Sequence, residues 1–147
     1  MTPLALQEYF HDHIPLSKAM AVKVETASPQ LVRLAAPLAP NTNHHGTVFG
    51  GSASAVAVLS AWGLLHVAMV DANIQADLVV QKSSMSYELP ITGEFTAEST
   101  APVPEKWQRF LTMLLKYKRA RISIQSILNC DGRKVGEFEG DFVAIIS

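Results

Sequence analysis

The chain has 147 residues, with 12 Lys and Arg against 13 Asp and Glu and a formal net charge of −1, so neither a nucleic-acid partner nor an acidic tail is suggested. At 48% hydrophobic and 17% charged, it has one domain's length and apolar content enough for a core without disulfides or metals. The single Cys130, beside Asp131-Gly132, has no partner within the chain, which fits a reducing compartment.

Thr2-Pro3 is a helix start, a hydroxyl cap followed by proline at the first helical position, and Leu6, Phe10 and Ile14 recur on one side. The spacing predicts a short helix ending before Pro15. The N-terminus lacks the basic start and apolar block of a signal peptide, so the expected location is the cytoplasm. From Met20 to Thr26 the chain alternates, with Val22 and Val24 opposite Lys23 and Glu25; Leu31 to Leu38 can pair back on it across Ser28-Pro29. Pro37 and Pro40 stop that strand.

The loop Asn41-Thr-Asn-His-His-Gly-Thr-Val-Phe-Gly-Gly-Ser52 then delivers a glycine pair to the apolar run Ala53 to Val70, and no Lys, Arg, Asp or Glu occurs between Leu34 and Val70. A helix without a charged face must be enclosed by the rest of the chain. Gly46 to Val70 is also long enough to span a bilayer. Ser52, Ser54, Ser60, His66 and the glycines dilute it and no Lys/Arg cluster flanks it, so a buried helix and no membrane partner are expected. The small residues Gly51, Ser52, Ala53, Ser54, Ala55 and Ala57 allow close approach of a sheet, while Leu59, Trp62, Leu64, Leu65 and Met69 fill volume further along.

Strands are predicted over Asp77 to Leu89 and Glu94 to Thr100, separated by the turn Pro90-Ile-Thr-Gly93. Trp107, Phe110, Leu111 and Leu114 at helical spacing predict a helix over Pro104 to Leu115. Arg119 to Asn129 and Lys134 to Ile146 form a hairpin around Asp131-Gly132, with Phe138, Gly140, Phe142 and Ala144 on the face packed against the helix. The fold class is α+β: an antiparallel sheet curled around one long helix.

This element order and the loop Asn43-His-His-Gly-Thr-Val-Phe-Gly-Gly51 resemble the hot-dog fold of acyl-CoA thioesterases, in which a sheet wraps a central helix entered through a Gly-Gly pair. Ser84-Met-Ser-Tyr-Glu-Leu-Pro90 and Gly136-Glu-Phe-Glu-Gly-Asp-Phe-Val143 fit it, and Gly46 to Ser52 with Ala61-Trp-Gly63 is most similar to the thioesterase domain that follows some bacterial acetyltransferases. Residues 1–147 are read as one such domain standing alone. The resemblance implies a homodimer or dimer of dimers with interfacial sites and no cofactor, coenzyme A or a carrier protein being part of the thioester substrate.

Thioester hydrolysis builds negative charge on the carbonyl oxygen, and a helix N-terminus supplies free N–H groups and the positive end of a dipole. Gly50 and Gly51 fit that catalytic role, although such a pair can equally permit tight helix packing. Asn43, seven residues before Gly50, stands where related thioesterases carry an Asn that orients water or substrate; ordinary loop chemistry explains it as well. The loop's His44, His45 and Phe49 join the substrate-binding candidates, the histidines as a base or as contacts to coenzyme A phosphates; they can also be exposed bystanders. No further ligand makes a metal site. Ser84 is a candidate substrate contact or part of a polar strand face. Lys116 and Arg119, clustered with Lys118 and Arg121, are candidates for gripping phosphates or form a solvated basic edge. The resemblance also locates a departure: many relatives carry an Asp or Glu two turns into the helix, where this chain has Val58, and Ser60, the nearest polar residue, is a further substrate-binding candidate. Without that carboxylate the alternative to an enzyme is a non-catalytic acyl-thioester binding module. A dehydratase would need a His paired with a carboxylate, and Asn43-His-His reveals none.

Overall fold

The computed structural model describes all residues, Met1–Ser147. Helix α1 (Pro3–His13) is capped by the Thr2 hydroxyl, which accepts the Ala5 N–H at 3.1 Å, and Pro15 opens a second short helix, α2 (Pro15–Ala19), where the periodicity had stopped. Ala21 then takes a positive φ of 56°, and strand β1 begins only at Lys23 (Lys23–Ala27), so the alternating run from Met20 overestimated the strand. The other strands are β2 (Leu31–Ala36), β3 (Asp77–Tyr87), β4 (Phe95–Thr100), β5 (Arg119–Cys130) and β6 (Arg133–Ile145). Helix α3 covers Gly50–Asp71 and α4 covers Pro104–Tyr117, ending at Lys118 in the left-handed conformation.

The six strands make one antiparallel sheet in the order β1-β2-β4-β5-β6-β3. β3 and β4, adjacent in sequence, therefore lie far apart in the sheet. Residues 90–93 do not close a hairpin but carry the chain past the start of α3, where the Val48 N–H donates to the Ile91 carbonyl at 2.9 Å.

The sheet curls around α3 as the apolar run requires. Ala53, Val56, Ala57, Leu64, Leu65 and Val67 on the helix are buried against Leu34, Phe95, Ala97, Ile124, Leu128, Phe138 and Phe142, within one cluster of 32 core residues that extends from Leu6 to Ala144. Although α3 is long and apolar enough to cross a membrane, it is the enclosed helix of this core. Gly63 admits α1: a Cβ there would lie 3.0 Å from Phe10 Cζ.

Three hydroxyls sit inside this apolar layer. Ser60 of α3, Ser99 of β4 and Ser126 of β5 have no exposed surface, lie 2.5–2.9 Å from one another, and Ser60 donates to the Ala57 carbonyl at 2.9 Å. Such a network survives burial because every hydroxyl has a partner. Ser60 is thus a core residue, and its expected contact with substrate is corrected by its burial.

A ring stack fixes α1 to α3. Tyr9 lies between His13 (centroids 4.2 Å apart) and His66 (4.6 Å), and His66 stacks in turn on Trp62 at 4.9 Å, whose Nε1 donates to the Leu78 carbonyl at 3.0 Å. Burial first, and then nearby His13, holds the His66 imidazole below its ordinary pKa.

Cross-strand partners share a face of the sheet. Leu78 pairs with Ala144 and Val80 with Phe142 on the face toward α3, but a bulge between Val80 and Lys82 shifts the alternation, so Ser83, Met85 and Tyr87 face the helix, opposite Gly140, Phe138 and Gly136. Ser84, opposite Glu139, faces away.

Two expectations follow. Ala57→Leu forces a side chain into a fully enclosed helix–sheet contact and should lower stability by about 1–3 kcal/mol or more, read as a lower midpoint in thermal melts; an unchanged melt would show that this face is open. A histidine whose folded pKa is depressed contributes stability that is present above its unfolded value, about 6.5, and is lost as pH falls through the folded value. Denaturant titrations of wild type and His66→Phe between pH 7.5 and 5 should show the variant, which keeps the stack, losing less stability on acidification.

Candidate functional site at the start of α3

The loop before α3 is held from inside. Asn41 is buried, its Nδ2 donating to the Met20 and Pro37 carbonyls at 2.9 and 2.8 Å, and its own carbonyl accepts the Phe49 N–H at 2.7 Å. Thr42 and Val48 form a short antiparallel bridge around the turn, which Gly46 completes with φ of 78°. The chain is thereby brought into α3 with Phe49 extended and no side chain capping the helix.

The first helical N–H groups are consequently free. Ala53 donates to the Phe49 carbonyl at 3.1 Å, but the N–H groups of Gly50, Gly51 and Ser52 bond to nothing in the protein, and no acidic residue in the first turn offsets the dipole. Two exposed rings flank them. Phe49, 57% exposed, folds over Gly51 so closely that a Cβ there would lie 2.4 Å from its ring, and Tyr87, 59% exposed, lies against Gly50 and donates its hydroxyl to the Gly50 carbonyl at 3.1 Å. Glycine at position 51 lets the Phe49 ring fold over the helix start, whose first N–H groups are unpaired. A carbonyl oxygen or an anion is what such groups accept.

The other candidates divide by position. Asn43 lies on the same loop, but its side chain shapes the turn: Oδ1 accepts the His45 and Thr47 N–H groups at 2.8 and 3.1 Å, and Nδ2 donates to Thr47 Oγ1 at 2.9 Å. One Nδ2 hydrogen is left for a ligand. His44 and His45 are exposed on the loop, their rings 3.9 Å apart, with no carboxylate bonded to either and no cluster of metal-ligating residues. Phe49, Gly50 and Gly51 are together at the helix start. Ser84 is not with them, since the β3 bulge turns it to the outer face; Ser83 is the serine on the helix side. Lys116 and Arg119 are not with them either. Arg119 pairs with Ile145, which pairs with Asp77, whereas Tyr87 is at the other end of β3, roughly 30 Å away along a strand of this length. Lys116 stands over the Tyr117 ring at 5.2 Å, in the segment leading to Arg119. Within one chain the basic cluster and the start of α3 therefore lie at opposite ends of the sheet.

Two residues had escaped the sequence reading. Tyr87 was hidden by the bulge, which an alternation count does not reveal; the signal for it was its place at the end of a long strand, before Glu88-Leu89-Pro90. His66 could have been found as the only titratable side chain between Gly50 and Val70 of α3. Val58 is partly buried and, as read, no acid takes its place.

A family model described as "putative thioesterase (yiiD_Cterm)" matches residues 4–146. Among solved structures, a protein of unknown function from Chlorobaculum tepidum superposes with a TM-score of 0.94 at 29% identity, over 99% of this chain and 98% of that one. A Shewanella oneidensis protein, also described as a putative thioesterase, gives 0.87 at 26% identity, over 98% and 97%. A Pseudomonas aeruginosa protein described as a probable thioesterase gives 0.81 at 22% identity, over 97% and 95%, a likeness of fold. With the match running nearly end to end, the chain belongs to this thioesterase family and has the hot-dog fold.

Proposed function

We propose that the protein hydrolyses an acyl thioester of coenzyme A or of acyl carrier protein at the N-terminus of α3. The observation that carries this reading is the set of three unpaired N–H groups of Gly50, Gly51 and Ser52 beneath the Phe49 and Tyr87 rings, in a member of a thioesterase family. A thioester oxygen seated on them gains hydrogen bonds as it becomes an oxyanion, and the rings shield it from water. A removed donor of this kind typically costs about 10²–10³ in kcat. The second reading, a binding module for acyl thioesters, is favoured by one fact: no carboxylate stands at Val58.

The reading includes a homodimer or dimer of dimers in the cytoplasm. β3 is an edge strand of 11 residues, nearly all exposed, with Val79 at 51% and Val80 at 43%, and a long unpaired edge with apolar side chains templates another strand. Antiparallel pairing of two copies through β3 sets the Arg119 end of one chain near the Gly50 end of the other, and in that arrangement Lys116 and Arg119 can grip phosphates of a substrate held by the partner.

The test is thiol release from acetyl-, octanoyl- and palmitoyl-CoA and from octanoyl carrier protein. Gly50→Pro removes one donor at a helical position that proline favours, so kcat should fall about 10²–10³ with an unchanged melt. Binding of every substrate without hydrolysis would leave the binding module in its place. Sedimentation at micromolar concentration should show a dimer or tetramer; a folded monomer would remove the interfacial site.

A further inference from the structure

At the end of α3 away from Gly50 lies a cavity of about 550 Å³, lined by His66, Met69, Ile74, Ala76, Asp77 and Ile145 among others. His66 is clamped between the Tyr9 and Trp62 rings, and its Nε2 is enclosed without a partner. Nδ1 is likewise bonded to no protein group but is not enclosed, and His66 is one of the residues lining the cavity. In a single chain this base is remote from the helix start: 16 residues separate Gly50 from His66, roughly 24 Å along the axis.

The β3 edge removes that separation. Leu78, Val80, Ser83, Met85 and Tyr87 face α3, and a symmetric antiparallel pairing of two β3 strands must set such residues opposite one another. The most centred register that does so pairs Leu78 with the partner's Met85 and Val80 with the partner's Ser83. The partner's Tyr87 then lies opposite Ala76, and a shift by one pleat repeat either way moves it only to Ile74 or Leu78. Ile74 and Ala76 line the His66 cavity, while Tyr87 is the ring against Gly50.

We infer that each thioester site is composite, the carbonyl lying on the Gly50–Ser52 N–H groups of one chain while Nδ1 of the partner's His66 accepts the proton of the attacking water. The inference rests on the thioesterase reading and supplies the base that Val58 does not. The water oxygen bonds to the carbonyl carbon as its proton passes to Nδ1. The C–S bond then breaks, and the thiolate leaves with that proton, so one water and one thioester become one carboxylic acid and one thiol. Burial and His13 keep the imidazole uncharged at neutral pH, ready to accept a proton. The titratable groups around it are His13 and Tyr9 on α1 and Asp77 at the start of β3, none of them bonded to the ring.

The experiment is hydrolysis of octanoyl-CoA by the wild-type dimer, His66→Phe, which keeps the stack, and His66→Gln. Both variants should lose about 10²–10⁴ in kcat with KM changed less than about threefold, and the acid limb of the pH profile should vanish. Full turnover by His66→Phe overturns the inference while leaving the thioesterase reading intact; a wild type that releases no thiol overturns both. Mixed dimers of Gly50→Pro and His66→Phe chains carry one intact composite site and should regain about half of wild-type activity. Mixed dimers that stay at background would place both groups' action within one chain and overturn it as well.

Discussion

The structure depends on covering a 22-residue helix that has no charged residue before Asp71 at its end. Exposed to water on any side, such a helix would sacrifice apolar burial worth about 25 cal/mol per Å². The sheet curls because it must reach round the helix, α1 is drawn in at Gly63 to cover another flank, and α4 closes over part of the core with Phe110 and Leu114 buried. The N-terminal end of α3 is left uncapped, and chemistry becomes possible there for the same reason that the rest of the helix is inert: the enclosure stops at Gly50.

The parts of this arrangement governed by periodicity were legible. The buried helix follows from its lack of charge, the β5–β6 hairpin from Asp131-Gly132, and the inward Phe138 and Phe142 from alternation with acidic neighbours. The hot-dog resemblance was legible in the loop from Asn43 to Gly51. What alternation could not show was a single extra residue in β3, and that residue exchanged the faces of Ser83 and Ser84 and turned Tyr87 toward the helix. α2 was lost because five residues after a proline carry too little pattern. Asn43 was read for a ligand, whereas most of its hydrogen-bonding capacity is used in its own turn.

The site is also shaped by distance. Strands and helix of this length separate the free N–H groups at Gly50 from the basic cluster and from the His66 cavity, and no side chain bridges such a gap. β3 lies at an edge of the sheet, so the proposed antiparallel pairing with a second copy would break none of the sheet's own pairings.

The serine cluster under α3 bears on how this sequence can drift. Ser60, Ser99 and Ser126 come from three separate elements, and each hydroxyl is satisfied by the others and by the Ala57 carbonyl. Losing one alters the partners of the other two, while exchanging all three for apolar residues of the same shape removes the polar groups together and is nearly neutral. These positions, 39 and 27 residues apart along the chain, form one heritable unit: descent should keep them polar together or apolar together, and sequences with a mixed set should be short-lived intermediates.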